Sequence, residues 1–119
     1  MQSGDDPLAA FIHVRGGLGS AARPISLVVL SGEHDYGSRE RFERVLADLN
    51  SHVLVDLTDC DLIDTSIINV LLTKHRELQR AGLKLELIIP SAQVHLSRSF
   101  DLLGMRNLVT IREDRPLSM

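Results

Sequence analysis

The stretch VLVDLTDCDLIDTSIINVLLTKHRELQRAGLKLELIIPS, residues 53–91, decides how the chain folds. It opens on a continuous apolar run, Val53-Leu54-Val55, with Leu57 beyond Asp56, the mark of an interior parallel strand. Ile67, Ile68, Val70, Leu71 and Leu72 are too apolar for a solvated loop or a two-sided surface helix, so they belong to a buried helix. That helix spans residues 65–81 and is closed by Gly82, a glycine at the C-terminal stop position. Leu83, Leu85, Leu87 and Ile89 then alternate with Lys84 and Glu86, giving a strand that Pro90 ends. Asp64, Thr65 and Ser66 therefore stand where a buried element surfaces, and such a place is either a helix cap or a site.

Working outward, residues 25–30 (ISLVVL) read as a strand covered on at least one face. It runs into a loop, SGEHDYGS, punctuated by Gly32 and Gly37. Phe42, Val45, Leu46 and Leu49 recur at helical spacing, predicting an amphipathic helix over 38–49 with Ser38 as its N-cap. Upstream, residues 11–14 are a short strand. The glycine run at 16–20 is a hairpin connection, because no lysine follows it and Pro24 opens a strand where a phosphate loop would open a helix. Downstream, Ala92, Leu96, Phe100 and Leu103 mark one face of a last helix ended by Gly104, and residues 108–111 form a final strand. Strands alternating with helices imply right-handed crossovers and a parallel core, hence an α/β domain with a mixed sheet and an antiparallel edge strand.

Composition narrows the function. One domain fits 119 residues, with 44% hydrophobic and 24% charged residues. A single cysteine, Cys60, allows no internal disulfide, which suits the cytoplasm; without a motif around it, it reads as a small buried residue. The acidic start, MQSGDDPLAA, lacks the apolar centre of a signal peptide, and no apolar run approaches the roughly 18 residues of a membrane segment. A net charge of -3 with 3% aromatics and no tryptophan argues against nucleic acid, leaving another protein as the expected partner.

In open α/β sheets, sites form beyond the carboxyl ends of the strands. Two loops qualify: Gly32-Glu33-His34-Asp35 and residues 59–66, and neighbouring strands would bring Asp35 close to Ser66. Free amides at the helix start would favour an anion there, so a phosphate accepted by a serine hydroxyl could be held by them. Capping needs only one of Asp64, Thr65 and Ser66, and leaves two unexplained. Asp56, Asp59, Asp61 and Asp64 crowd nine positions, but with no other chelating cluster they read mostly as solvated loop residues, and no metal or cofactor is expected. The five histidines are dispersed, and only His34 adjoins the site; no nucleophile–base pair is visible, so no enzyme is expected. A two-component receiver domain shares this architecture, but Asp5 and Asp6 precede the first strand and no lysine follows Lys84, so its acidic pair and lysine are missing.

Residues 53–91 resemble the core of a STAS domain, the sulfate transporter and anti-sigma factor antagonist family: a strand ending in Asp-Leu, a spacer, Asp-Thr-Ser, a helix, Gly and an apolar strand. LSGEHD resembles the family's Gly-Glu-x-Asp turn, and FDLLGMRNLVTI its closing helix, glycine and strand; the likeness covers about residues 8–112 of one domain, 1–119. It implies helices mainly on one face of the sheet. By resemblance, Ser66 matches the serine phosphorylated by a kinase-type anti-sigma factor, with Asp35 and Asp64 as flanking acids and Thr65 the less favoured acceptor, its side chain serving as cap or core. Partner contacts are implied at Gly32, Glu33, His34, Asp35, Thr65, Ile67, Ile68 and Asn69. The chain would then be a cytoplasmic bacterial switch protein that binds an anti-sigma factor and so frees a sigma factor, with a serine phosphatase resetting it. The other role the resemblance allows is an unphosphorylated interaction module in a stress-signalling scaffold or lipid-transport complex. Ile67-Ile68-Asn69 stands where the family usually has Gly-Leu-Gly, and a branched residue after Ser66 is expected to crowd it.

Overall fold

A computed structural model describes residues 11–115. The strands are β1 (Phe11–Gly19), β2 (Pro24–His34), β3 (His52–Asp56), β4 (Cys60–Ile63), β5 (Leu85–Ile88) and β6 (Thr110–Arg112). The helices are α1 (Tyr36–Ala47), α2 (Thr65–Arg80) and α3 (Val94–Leu102), with one 3-10 turn at Met105–Asn107. The main sheet runs β1-β2-β3-β5-β6; β1 is antiparallel to β2 at the edge, and the other pairs are parallel.

The pleat sorts the apolar residues of the strands. Val28, Leu30, Val53, Val55, Leu85 and Leu87 share one core with Phe42 and Leu46 of α1, Ile67 and Leu71 of α2, and Leu96 and Phe100 of α3. Their strand neighbours Leu27, Leu54 and Ile88 face the other way and form a smaller cluster that no helical residue joins. The helices therefore lie on one face, as the family resemblance implies.

Four local expectations need correction. The glycine run is not the hairpin connection: β1 continues through it to Gly19, with a bulge between Arg15 and Leu18, and the turn is made by residues 20–23. Gly19 has φ +74°, and a Cβ there would lie 2.4 Å from the carbonyl oxygen of Arg23, so only glycine fits. The segment after Leu30 is not a loop, because β2 extends to His34 and pairs there with β4, a short parallel strand absent from the sequence reading. Helix α1 starts at Tyr36 with Asp35, not Ser38, as its N-cap; Ser38 is buried inside the first turn. Finally, β6 begins two residues later than the apolar pattern suggests, because residues 105–109 close the 3-10 turn.

Gly82 does end α2 as expected. Its φ of +75° lets the chain reverse, with the amides of Gly82 and Leu83 donating to the carbonyls of Gln79 and Leu78.

Candidate functional site

The extension of β2 alongside β4 places the two strand ends side by side. His34 is in register with Ile63, and the amide of Asp64 donates to the carbonyl of His34 at 3.1 Å. Both helices that follow therefore begin at the same edge of the molecule, so the loops after the second strand and before α2 do converge.

Asp64 is the hinge of this arrangement. Its Oδ1 accepts from the amides of Ser66 (3.0 Å) and Ile67 (3.3 Å), capping α2, and from the Ser66 hydroxyl at 2.5 Å. Its Oδ2 accepts from the amide of Tyr36 at 3.1 Å, the first residue of α1. The Ser66 hydroxyl does most to hold the Asp64 carboxyl below the usual aspartate range; partial burial opposes this, and the three amides reinforce it. Asp35 is exposed and caps α1 through the amide of Gly37 at 2.9 Å.

The three polar residues thus divide their roles: Asp64 is the cap, Thr65 an exposed first residue, and Ser66 a partly exposed hydroxyl tied to the cap. Thr65 is neither cap nor core, contrary to expectation. The amides expected to await a phosphate are occupied, since Asp64 takes those of Ser66 and Ile67. Ile67 is fully buried, so the branched side chain after Ser66 turns into the core and leaves the hydroxyl uncrowded.

Burial sorts the residues expected to meet a partner. Glu33, Asp35, Thr65 and Asn69 reach the surface, whereas Gly32, His34, Ile67 and Ile68 are enclosed and support the site from behind. His34 is 0% exposed; its Nε2 lies 3.1 Å from the carbonyl of Phe11 and 3.0 Å from that of Ser31, and its Nδ1 is 3.1 Å from the Ser38 hydroxyl. Two carbonyl partners place the ring proton on Nε2, and burial pushes the pKa down against the opposing pull of those carbonyls. Helices α1 and α2 leave between them a groove of about 400 Å³, lined by Tyr36, Arg39, Glu43, Ser66, Asn69 and Lys74 among others. Tyr36, 72% exposed at the head of α1 with Arg39 stacked 5.3 Å from its ring centroid, escaped the sequence reading. Its only signal was an aromatic ring in a chain nearly devoid of them.

Of the four crowded aspartates, Asp59 and Asp61 are exposed as expected, Asp59 in a turn but Asp61 within strand β4. Asp56 is not: it is 3% exposed, accepting from the amide and hydroxyl of Thr58 and from Arg115 Nε at 2.9 Å. Burial pushes its pKa up, but the Thr58 bonds and Arg115 together outweigh that and leave it lowered. Among the described residues no cluster of His, Cys, Asp or Glu is placed to hold a metal. Cys60 is fully buried, and desolvation pushes its thiol up to about 11, so it is no nucleophile near neutral pH.

The STAS domain profile matches residues 22–116, most of the chain. The chain belongs to the STAS domain family. Among solved structures, an anti-sigma factor antagonist from Mycobacterium paratuberculosis superposes with a TM-score of 0.75 at 15% identity, covering 91% of this chain and 89% of that one. SpoIIAA of Bacillus in its phosphorylated form gives a TM-score of 0.60 at 16% identity, covering 89% and 93%. The anti-sigma factor antagonist SpoIIAA in its unphosphorylated form gives 0.61 at 15%, covering 90% of each. At these identities the likeness is one of fold. No significant match was found among curated proteins. Among the described residues no helix is long and apolar enough to cross a membrane.

Proposed function

We propose that this STAS domain is an anti-sigma factor antagonist working in the cytoplasm as a phosphorylation-controlled partner switch. Ser66 is the phosphoacceptor, and an anti-sigma factor of the serine-kinase type is both its kinase and its binding partner. The observation that carries this reading is the placement of Ser66: a partly exposed hydroxyl whose hydrogen is directed to Asp64 Oδ1, at the surface where both helices begin. That bond fixes the hydroxyl and leaves its lone pairs free for an incoming phosphoryl group.

In the transfer, Ser66 Oγ bonds to the γ-phosphorus as the bond to the departing ADP oxygen breaks, and the serine proton passes to a base. The lowered pKa of Asp64 makes it a weak proton acceptor, so Asp64 orients the hydroxyl while the kinase supplies the base. The product carries about two negative charges beside the Asp64 carboxylate, on a surface shared with Asp35 and Glu33. Like charges push the phosphate outward into the partner's contact, and the complex weakens. A serine phosphatase restores the binding form. The protein itself is a substrate and a switch, with no turnover of its own.

Copurification from the native host tests the class of function. Recovery with an anti-sigma factor supports the switch, whereas recovery only with a scaffold or a transporter ATPase would assign the chain to the unphosphorylated interaction modules of the family.

A further inference from the structure

Lys74 is the most unusual cation in the molecule. It sits on α2 and is 6% exposed, and its side chain lines the groove between α1 and α2. Among the described residues its ammonium makes no hydrogen bond, and its one carboxylate neighbour, Glu77, is 3.8 Å away and more than half exposed. The stem of Lys74 is buried while its ammonium opens on the groove, where its donors can meet a ligand. Elsewhere the chain satisfies its buried charge: Asp56, equally enclosed, has Thr58 and Arg115.

The space in front of Lys74 suits a ligand. The groove holds about 400 Å³, within the range of small-molecule sites. Its walls carry polar groups suited to orienting such a ligand, Ser66, Asn69 and Thr73 on α2 and Tyr36 and Arg39 on α1, beside two carboxylates, Glu43 and Glu77, that are each paired with a cation. Arg39 is paired closely with Glu43 at 2.7 Å, whereas Lys74 has only the longer contact with Glu77 at 3.8 Å.

We propose that the α1–α2 groove is a binding site for a small organic anion, its carboxylate or phosphate group held by Lys74. Ser66 lines the mouth of the same groove, but binding through Lys74 requires no phosphate on it.

Amide chemical-shift titration of the full chain at constant ionic strength tests it, with sodium succinate and sodium phosphate as probes and sodium chloride as reference. The two probes separate a carboxylate from a phosphate preference. Saturable shifts confined to the groove, at Tyr36, Ser66, Asn69, Thr73 and Lys74, are expected from at least one probe, with none from chloride. Lys74→Met keeps the apolar stem, so the fold should hold while affinity falls about tenfold or more through loss of a charge-assisted bond. Lys84→Met, which removes an exposed lysine outside the groove, should leave the affinity unchanged. Shifts that do not saturate with either probe, or a response that survives Lys74→Met, would overturn the proposal.

Discussion

The carboxylate of Asp64 joins two helices: one oxygen caps α2 at Ser66 and Ile67, and the other receives the amide of Tyr36 at the start of α1. One side chain therefore sets the relative position of the two helix starts and the orientation of the Ser66 hydroxyl between them. Asp64→Ala should cost about 2 kcal/mol, more than an ordinary cap, because amides of both helices lose their acceptor. Urea denaturation measures this directly. A loss no larger than that of Asp35→Ala, which caps α1 alone, would show that the link to Tyr36 contributes nothing.

His34 gives the fold a pH dependence in the mildly acidic range. Its pKa is lowered in the folded state, so the stability it confers is complete above the unfolded value of about 6.5. As pH falls below that value the unfolded chain takes up a proton that the folded chain resists, and stability declines towards the folded pKa. Arg41 reinforces this lowering and Asp35 opposes it. Denaturation at pH 7.5 and 5.5 should show wild type losing stability between the two, with the loss much reduced in His34→Gln. Equal slopes in the two proteins would assign the effect to other groups.

The parts of the fold legible in the sequence were those with a strong period. The run Val53-Leu54-Val55, the alternation from Leu83 to Ile89 and the stop at Gly82 each carried one pattern and one meaning. Strand β4 was hidden because Cys60-Asp61-Leu62-Ile63 is four residues long, with its two middle residues exposed, and pairs only with the far end of β2. The cap at Asp35 was displaced to Ser38 because both residue types cap helices; the bond from the Gly37 amide to Asp35 and the buried contact between Ser38 and His34 separate them. The Asp64–Ser66 site was legible as a set of residues, but its division of labour was not. That Asp64 consumes the helix amides, and that Ile67 faces inward, depend on the register of α2 against the sheet.

Arg115 anchors the end of the described chain to Asp56 at the end of the central strand β3. Arg115→Ala leaves a buried carboxylate with only its Thr58 contacts, and should destabilise by about 1 kcal/mol, since the guanidinium itself is half exposed. The lowered pKa of Asp56 gives stability that is complete above the usual aspartate range and is lost as pH falls below it towards the folded value, so the variant should differ from wild type at pH 7 and by less in acid. Calorimetric midpoints at pH 7 and pH 3 check both points; an unchanged midpoint at pH 7 would make this contact incidental.

Variants at Ser66 separate charge from shape in partner binding. Ser66→Ala removes a hydroxyl and leaves the Asp64 cap intact, so association with the anti-sigma factor should persist with ATP present. Ser66→Asp sets a carboxylate beside Asp64 and should weaken association by about 2–5 kcal/mol, the range for an uncompensated charge in an interface. Isothermal titration with each variant reads the difference. Equal affinities for wild type, Ala and Asp variants would leave Ser66 as an accessory to the cap alone.

The central claim is that Ser66 is the residue modified, and mass spectrometry after incubation with the cognate anti-sigma factor and ATP tests it most directly. The expected result is one added phosphate, located at Ser66, absent from Ser66→Ala and retained in Thr65→Ala. A phosphate on the more exposed Thr65, or none on either residue with an active kinase, would contradict it.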